Sequence, residues 1–270
     1  MRVVANSIPK SGTHLLDRLL VLLGFGFVEG GIRSRLVSGP LSPVRKLVRG
    51  RGERVAIGVV SPQLISRRWL RRRLTKIPDG HFVNAHCLYT PELAGLFREA
   101  GMKTVCILRD PRDVAVSQVH HIKQRRQHFA HEAFMALPSD HERLLISIRG
   151  GELDGHELLP LDERYRRFLG WEQDEGTVMV KFEDLVGLRG GGSAEAQRRV
   201  VRRVAAHVGI SANERTMRRV EEELFGVGPT FRKGQIAGWR EEFSPEHERA
   251  VKEQAGSLLV ELGYEASPDW

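Results

Sequence analysis

A lysine sits in the run Asn6-Ser7-Ile8-Pro9-Lys10-Ser11-Gly12-Thr13-His14, a small-residue turn that joins an apolar start containing Val3 and Val4 to a leucine-rich stretch with helical spacing. A turn that feeds a helix in this way is suited to an anion. The first backbone N–H groups of a helix have no intrahelical partner, and the helix dipole adds positive potential, so a phosphate or sulfate group can be held there. In the Walker A loop the lysine follows the second glycine, whereas here Lys10 precedes Gly12. A nucleoside triphosphate is therefore not expected to bind in the ordinary way. A second reactive group is His86, which ends the run His81-Phe82-Val83-Asn84-Ala85. An imidazole titrating near neutrality suits general-base work there, the alternative being a histidine that only bonds a neighbouring loop. His14, beside the anion turn, is the fallback base.

The elements that must position these groups alternate. Residues 1–7 read as a strand and 12–23 as a helix with Leu15, Leu16, Leu19, Leu20 and Leu23 on its apolar side. Strands follow at 81–86, 103–108 and 177–182, with helices at 91–100, 111–124, 161–171, 193–208, 212–224 and 245–262. The β-α-β-α-β order predicts a three-layer α/β/α domain with a central parallel sheet. Ligand groups should gather at the carboxyl ends of the strands, where Lys10, His86 and Arg109 fall. Residues 33–80 and 126–160 resist this pattern and read as loop and short-helix insertions. Gly190, Gly191 and Gly192 read as a flexible surface connection.

The net charge of +8 is unevenly spread. Residues 33–76 hold thirteen Arg and Lys against one acid, Glu53, a local balance of +12 that leaves the rest of the chain at −4. One basic block in a mildly acidic chain points to a local anionic partner and away from nucleic acid. Cys87 and Cys106 lie in apolar runs and read as reduced core residues. No stretch approaches the ~20 apolar residues of a membrane span, and the N-terminus lacks a signal-peptide pattern. The expected location is the cytoplasm. His120, His121, His128, His131 and His141 lack a compact metal-ligand spacing.

The Pro9-Lys10-Ser11-Gly12-Thr13 run resembles the loop that binds the 5′-phosphosulfate in sulfotransferases using 3′-phosphoadenosine 5′-phosphosulfate (PAPS). Two further stretches resemble that family's motifs in the same order. Arg109-Asp110-Pro111-Arg112-Asp113-Val114-Ala115-Val116-Ser117 is similar to its 3′-phosphate segment, and Phe231-Arg232-Lys233-Gly234, followed by Trp239-Arg240, is similar to its C-terminal R-K-G loop. The resemblance implies one sulfotransferase domain over residues 1–270, with the P-loop nucleotide-kinase-like fold and with 33–80 and 126–160 on the acceptor side.

The resemblance also implies roles. Lys10 and His86 would be catalytic, with the Ser11 to Thr13 amides and hydroxyls, and His14, at the 5′ end of the nucleotide. Arg109, Ser117, Arg232, Lys233 and Gly234 would hold the 3′-phosphate, since arginine can form two parallel bonds to it and glycine allows close backbone approach. Phe182 matches a position near the nucleotide, or belongs to the core. Asp113 reads as a helix cap. Two departures stand out: Asn84 replaces a common lysine, and Leu15 replaces the tryptophan that stacks on adenine.

The implied reaction moves the sulfuryl group of PAPS in line to a hydroxyl or amine, releasing adenosine 3′,5′-bisphosphate (PAP) and needing no metal. The acceptor is open: an anionic glycan, a lipid or another natural product. The stretch 62–76 sets Arg67, Arg68, Arg71, Arg72 and Arg73 around Ile65, Trp69, Leu70 and Leu74, a pattern able to touch a membrane surface. A P-loop kinase-like phosphotransferase and a non-catalytic binder of acidic polymers through 33–76 are the alternatives. The oligomeric state is not legible.

Overall fold

The computed structural model describes residues 1–32, 52–59, 62–153, 155–226 and 234–270. Phe231, Arg232 and Lys233, and the first half of the basic block, lie outside the described residues. The chain packs as two compact units, one of residues 1–108 and 168–236, the other of 109–167 and 237–270.

The first unit is built on a five-stranded parallel sheet. Its strands are β1 (Arg2–Ser7), β2 (Gly26–Phe27), β5 (His81–Ala85), β6 (Met102–Leu108) and β9 (Thr177–Lys181), in the order β2-β5-β1-β6-β9. Strand β1 is central, pairing Val4 with Val83 on one side and with Thr104 on the other. Parallel strands need crossovers, and helix α1 (Thr13–Leu22) supplies the first. Its Leu16, Leu19, Leu20 and Leu22 are buried against Val3, Ala5, Phe82 and Val105 of the sheet. Full burial of each such leucine stabilises by about 1.5–3 kcal/mol, which holds the start of α1 at the end of β1.

The basic block contains more than loop. Strands β3 (Arg54–Ile57) and β4 (Gln63–Ser66) pair antiparallel, and α2 (Arg67–Leu74) follows with Ser66 capping Trp69 N–H. Leu70 and Leu74 are buried, while Arg68, Arg71 and Arg72 are exposed. Arg73 differs from them: it donates to the Gly30 carbonyl and lies over the Trp69 ring.

The remaining elements of this unit are α3 (Pro91–Glu99), whose N-cap is Thr90, and the helices after β9. Gly190 and Gly192 are not a flexible connection. A Cβ on Gly190 would come within 2.1 Å of Val186, and one on Gly192 within 2.7 Å of the Glu183 carbonyl. These glycines serve close packing in a tight turn.

The second unit is mainly helical. Helix α4 (Pro111–Gln124) is buried along most of its length, between α6 (Asp140–Arg149) and the later segments. Residues 126–160 also carry α5 (His131–Ala136) and a hairpin of β7 (Gly151–Leu153) and β8 (His156–Leu158), so this stretch is more ordered than short helices and loop. Helix α7 (Leu161–Leu169) sends the buried Arg164 to Gln118 and to the Ser147 carbonyl. Burial pulls that guanidinium down to about 10, because desolvation disfavours its charged form. The terminal α11 (Pro245–Glu261) starts with a Ser244/His247 capping box. Among the described residues no helix is long and apolar enough to cross a membrane.

Candidate active site

In the first unit, the turn after β1 is shaped by its own side chains. The Ser11 amide and hydroxyl both donate to the Ile8 carbonyl, at 3.1 and 2.8 Å, and the hydroxyl also reaches the Ile107 carbonyl at 2.9 Å. Ser11 is fully buried and its hydroxyl is engaged by the loop. Lys10 has φ 75° and Gly12 φ 109°, left-handed conformations that are costly for lysine. Strain of that kind, about 1–2 kcal/mol, persists where the surroundings impose it. Gly12 is required on two counts, since a Cβ there would also sit 2.8 Å from the Phe182 ring. Phe182, 5% exposed, therefore packs under the turn as part of the core. No side chain caps α1, and the first N–H groups of a helix have no intrahelical partner, so this turn suits an anion.

His86 lies one residue past β5, half-buried, with its amide donating to the Ile32 carbonyl at 3.0 Å. Its neighbour Cys87 is clamped by Asn6, which donates to the Cys87 carbonyl at 3.0 Å and accepts from its amide at 2.9 Å. Trp171 Nε1 donates to the same carbonyl at 3.0 Å. The clamp fixes the backbone next to His86. The His86 Nδ1 is 2.9 Å from the Ser7 carbonyl oxygen and 3.1 Å from the Ser7 hydroxyl; a proton on Nδ1 would satisfy the carbonyl, an atom that can only accept, and put the lone pair on Nε2. Asn6 and Ser7 open the run that carries Lys10, but sequence alone gives neither a role, because a short polar residue in a buried strand carries no signal of its own. Asn84, in place of the common lysine, donates to Asp17 at 3.2 Å. Burial pushes the Cys87 thiol up to about 12, and both cysteines are free and buried, as inert core thiols are.

In the second unit, Asp110 is the N-cap of α4, accepting from the Arg112 amide at 2.9 Å. Asp113 has a different role from the expected cap. It accepts from Arg109 at 3.1 Å, from the Ala237 amide at 3.1 Å and from the Trp239 amide at 2.9 Å. Burial raises the Asp113 carboxyl above the ordinary range, while Arg109 opposes that shift. Asp113 thus orients Arg109 and fixes the backbone just after the R-K-G segment, including the left-handed Ala237 (φ 58°). Tyr165 donates to the Arg109 carbonyl at 2.7 Å. Ser117 is half-buried in a stretch, 111–119, whose other residues are all buried. Arg112 is stacked between Trp239 (4.2 Å) and Trp270 (4.5 Å) and paired with Asp110 and Glu265.

Gly234 has φ 60°, a conformation that favours glycine. Lys10, Gly12, Thr13, His86 and Phe182 thus come together in the first unit, while in the second Arg109 immediately precedes the N-cap of α4 and Ser117 lies in its second turn. Among the described residues no group of three or more His, Cys, Asp or Glu is arranged to hold a metal.

The family model for the sulfotransferase domain matches residues 2–225. The chain belongs to the sulfotransferase domain family. This sulfotransferase shares its fold with a mouse sulfotransferase complexed with PAP (TM-score 0.63, 16% identity, covering 96% of this chain and 83% of that one). A retinol dehydratase in complex with androsterone and the inactive cofactor PAP is also similar (TM-score 0.59, 17% identity, covering 96% and 80%). No curated protein matches the sulfotransferase by sequence.

Removing the Arg109 guanidinium or the Ser117 hydroxyl gives a specific expectation. Arg109→Ala and Ser117→Ala should each weaken PAP binding by about 1.5–3 kcal/mol, the worth of a hydrogen bond to a charged group. Binding of AMP, which lacks the 3′-phosphate, should change little. Calorimetric titration with both nucleotides checks this, and equal losses would place the two residues elsewhere in the pocket.

Proposed function

We propose that this sulfotransferase moves the sulfuryl group of PAPS by direct in-line transfer to a hydroxyl or amine of an anionic acceptor. The observation that carries the reading is one pairing: an uncapped helix start with Lys10 in its turn, and a histidine whose Nδ1 meets the Ser7 carbonyl. PAPS supplies the activated sulfuryl group and a leaving group, PAP. The residues present suit it, with first-turn amides for the 5′ end and cationic side chains for its charges.

In this reading the Lys10 ammonium offsets charge building on the bridging oxygen. The amides of Thr13 and His14, with the Thr13 hydroxyl, hold the 5′ end while Ser11 and Gly12 keep the turn in shape. His86 Nε2 takes the acceptor proton. Arg109 and Ser117, with Arg232, Lys233 and Gly234, bind the 3′-phosphate, and Phe182 supports the nucleotide from below the turn. We take residues 1–270 as one functional domain with 33–80 and 126–160 on the acceptor side. We place the enzyme in the cytoplasm, where its two buried free thiols stay reduced. The test is transfer of radiolabelled sulfate from PAPS to pools of anionic and neutral acceptors. Label in an anionic pool supports the reading, and no transfer to any pool overturns it.

The exposed Arg68, Arg71 and Arg72 of α2 favour an anionic acceptor, glycan or lipid headgroup. Arg71→Gln with Arg72→Gln should raise the acceptor KM and flatten its salt dependence, because attraction between exposed charges fades as salt screens it. PAPS affinity should be unchanged. Initial rates over a salt series check this, and a KM indifferent to both would reduce α2 to a solvated face.

A further inference from the structure

Ser7, the last residue of β1, is completely buried and joins two groups that the reaction needs. Its Oγ is 3.1 Å from His86 Nδ1 and 2.7 Å from Thr13 Oγ1, the shorter being a typical O–H···O length. The roles in these bonds depend on the tautomer of His86. With its proton on Nδ1, shared between the Ser7 carbonyl and Oγ, the Ser7 hydroxyl can donate to Thr13 Oγ1, and the Thr13 hydroxyl is then able to donate to an anion at the start of α1.

We propose that Ser7 is a positioning residue that couples the tautomer of His86 to occupation of the anion turn. The chain runs one way, from imidazole N–H through Ser7 and Thr13 to the bound anion, and hydrogen bonds in such a chain polarise one another. An anion at the turn orients the Thr13 donor, which orients Ser7 to accept from Nδ1, and the lone pair is kept on Nε2. When Nε2 gains a proton, the imidazolium becomes a stronger Nδ1–H donor and the same chain tightens. By linkage, the effect is reciprocal. This inference rests on the reading of His86 as base and Thr13 as a ligand of the 5′ end.

The test uses the full-length protein with histidines labelled by ¹⁵N, with and without saturating PAP. In the wild type, PAP should shift the His86 Nδ1 and Nε2 resonances further toward the Nδ1–H form. Ser7→Ala, which removes only the hydroxyl and leaves the carbonyl contact in place, should bind PAP with unchanged affinity yet lose that shift. Its kcat should fall about tenfold, the effect of one lost hydrogen bond to a charged group, with the KM for PAPS unchanged. Thr13→Val cuts the chain at its other end and should also abolish the shift at saturating PAP. A wild-type His86 spectrum indifferent to PAP overturns the coupling, as does a Ser7→Ala spectrum that still responds. Failure of the base assignment is distinguishable, since it would show as turnover surviving in His86→Ala whatever the spectra do.

Discussion

Lys10→Ala is expected to leave a folded protein that still binds PAP but transfers sulfuryl at least about a hundredfold more slowly, the range seen when one preorganised charge-stabilising donor is removed. The fold should survive because alanine meets nearly the same penalty at φ 75° as lysine does. The turn itself is held by Ser11 and Gly12, not by the lysine side chain. Product binding should persist because the helix amides and the residues proposed for the 3′-phosphate remain. The loss falls on the transition state, where charge collects on the oxygen leaving sulfur. Single-turnover rates beside PAP titrations separate the two effects, and unchanged turnover would remove Lys10 from the mechanism.

His86→Ala is the second large effect. Turnover should fall by about 10²–10⁴-fold, the contribution of a positioned general base, while PAP affinity changes little. The backbone at this position is held by Ile32 and by the Asn6 and Trp171 contacts to Cys87, none of which uses the imidazole. The variant should therefore fold, with an unfolding temperature lowered because the buried Ser7 loses a hydrogen-bond partner. A His86→Ala enzyme that kept its activity, together with a His14→Ala enzyme that lost it, would move the base to His14.

Much of the frame could be read from residue patterns. The helix start at Thr13, the leucines of α1, the strands near 81 and 103, and Pro111 at the first position of α4 are local signals, and the structure has them within one or two residues. Turn chemistry, helix periodicity and proline placement act over a few neighbours, so a linear reading captures them. The same reading fell short in 126–160 only in degree, expecting loop and short helices where a ten-residue α6 and the β7–β8 hairpin are packed. It mistook Gly190 to Gly192 for a free connection, because glycine's use in tight packing and in mobile linkers looks alike in sequence.

Residue order alone offered the candidate groups, a lysine in a turn suited to an anion, a histidine at a strand end and an arginine before a helix, and the parallel α/β layout that carries them. Only the tertiary structure decided how each group is held. The His86 ring meets the carbonyl of Ser7, 79 residues away, and Arg109 pairs with Asp113, which is tied to backbone amides 124 and 126 residues further on. Those partners are single polar residues buried by folding. Their roles arise from desolvation and geometry, which forbid an unpaired donor or acceptor in the interior, and neither quantity exists until the chain has folded.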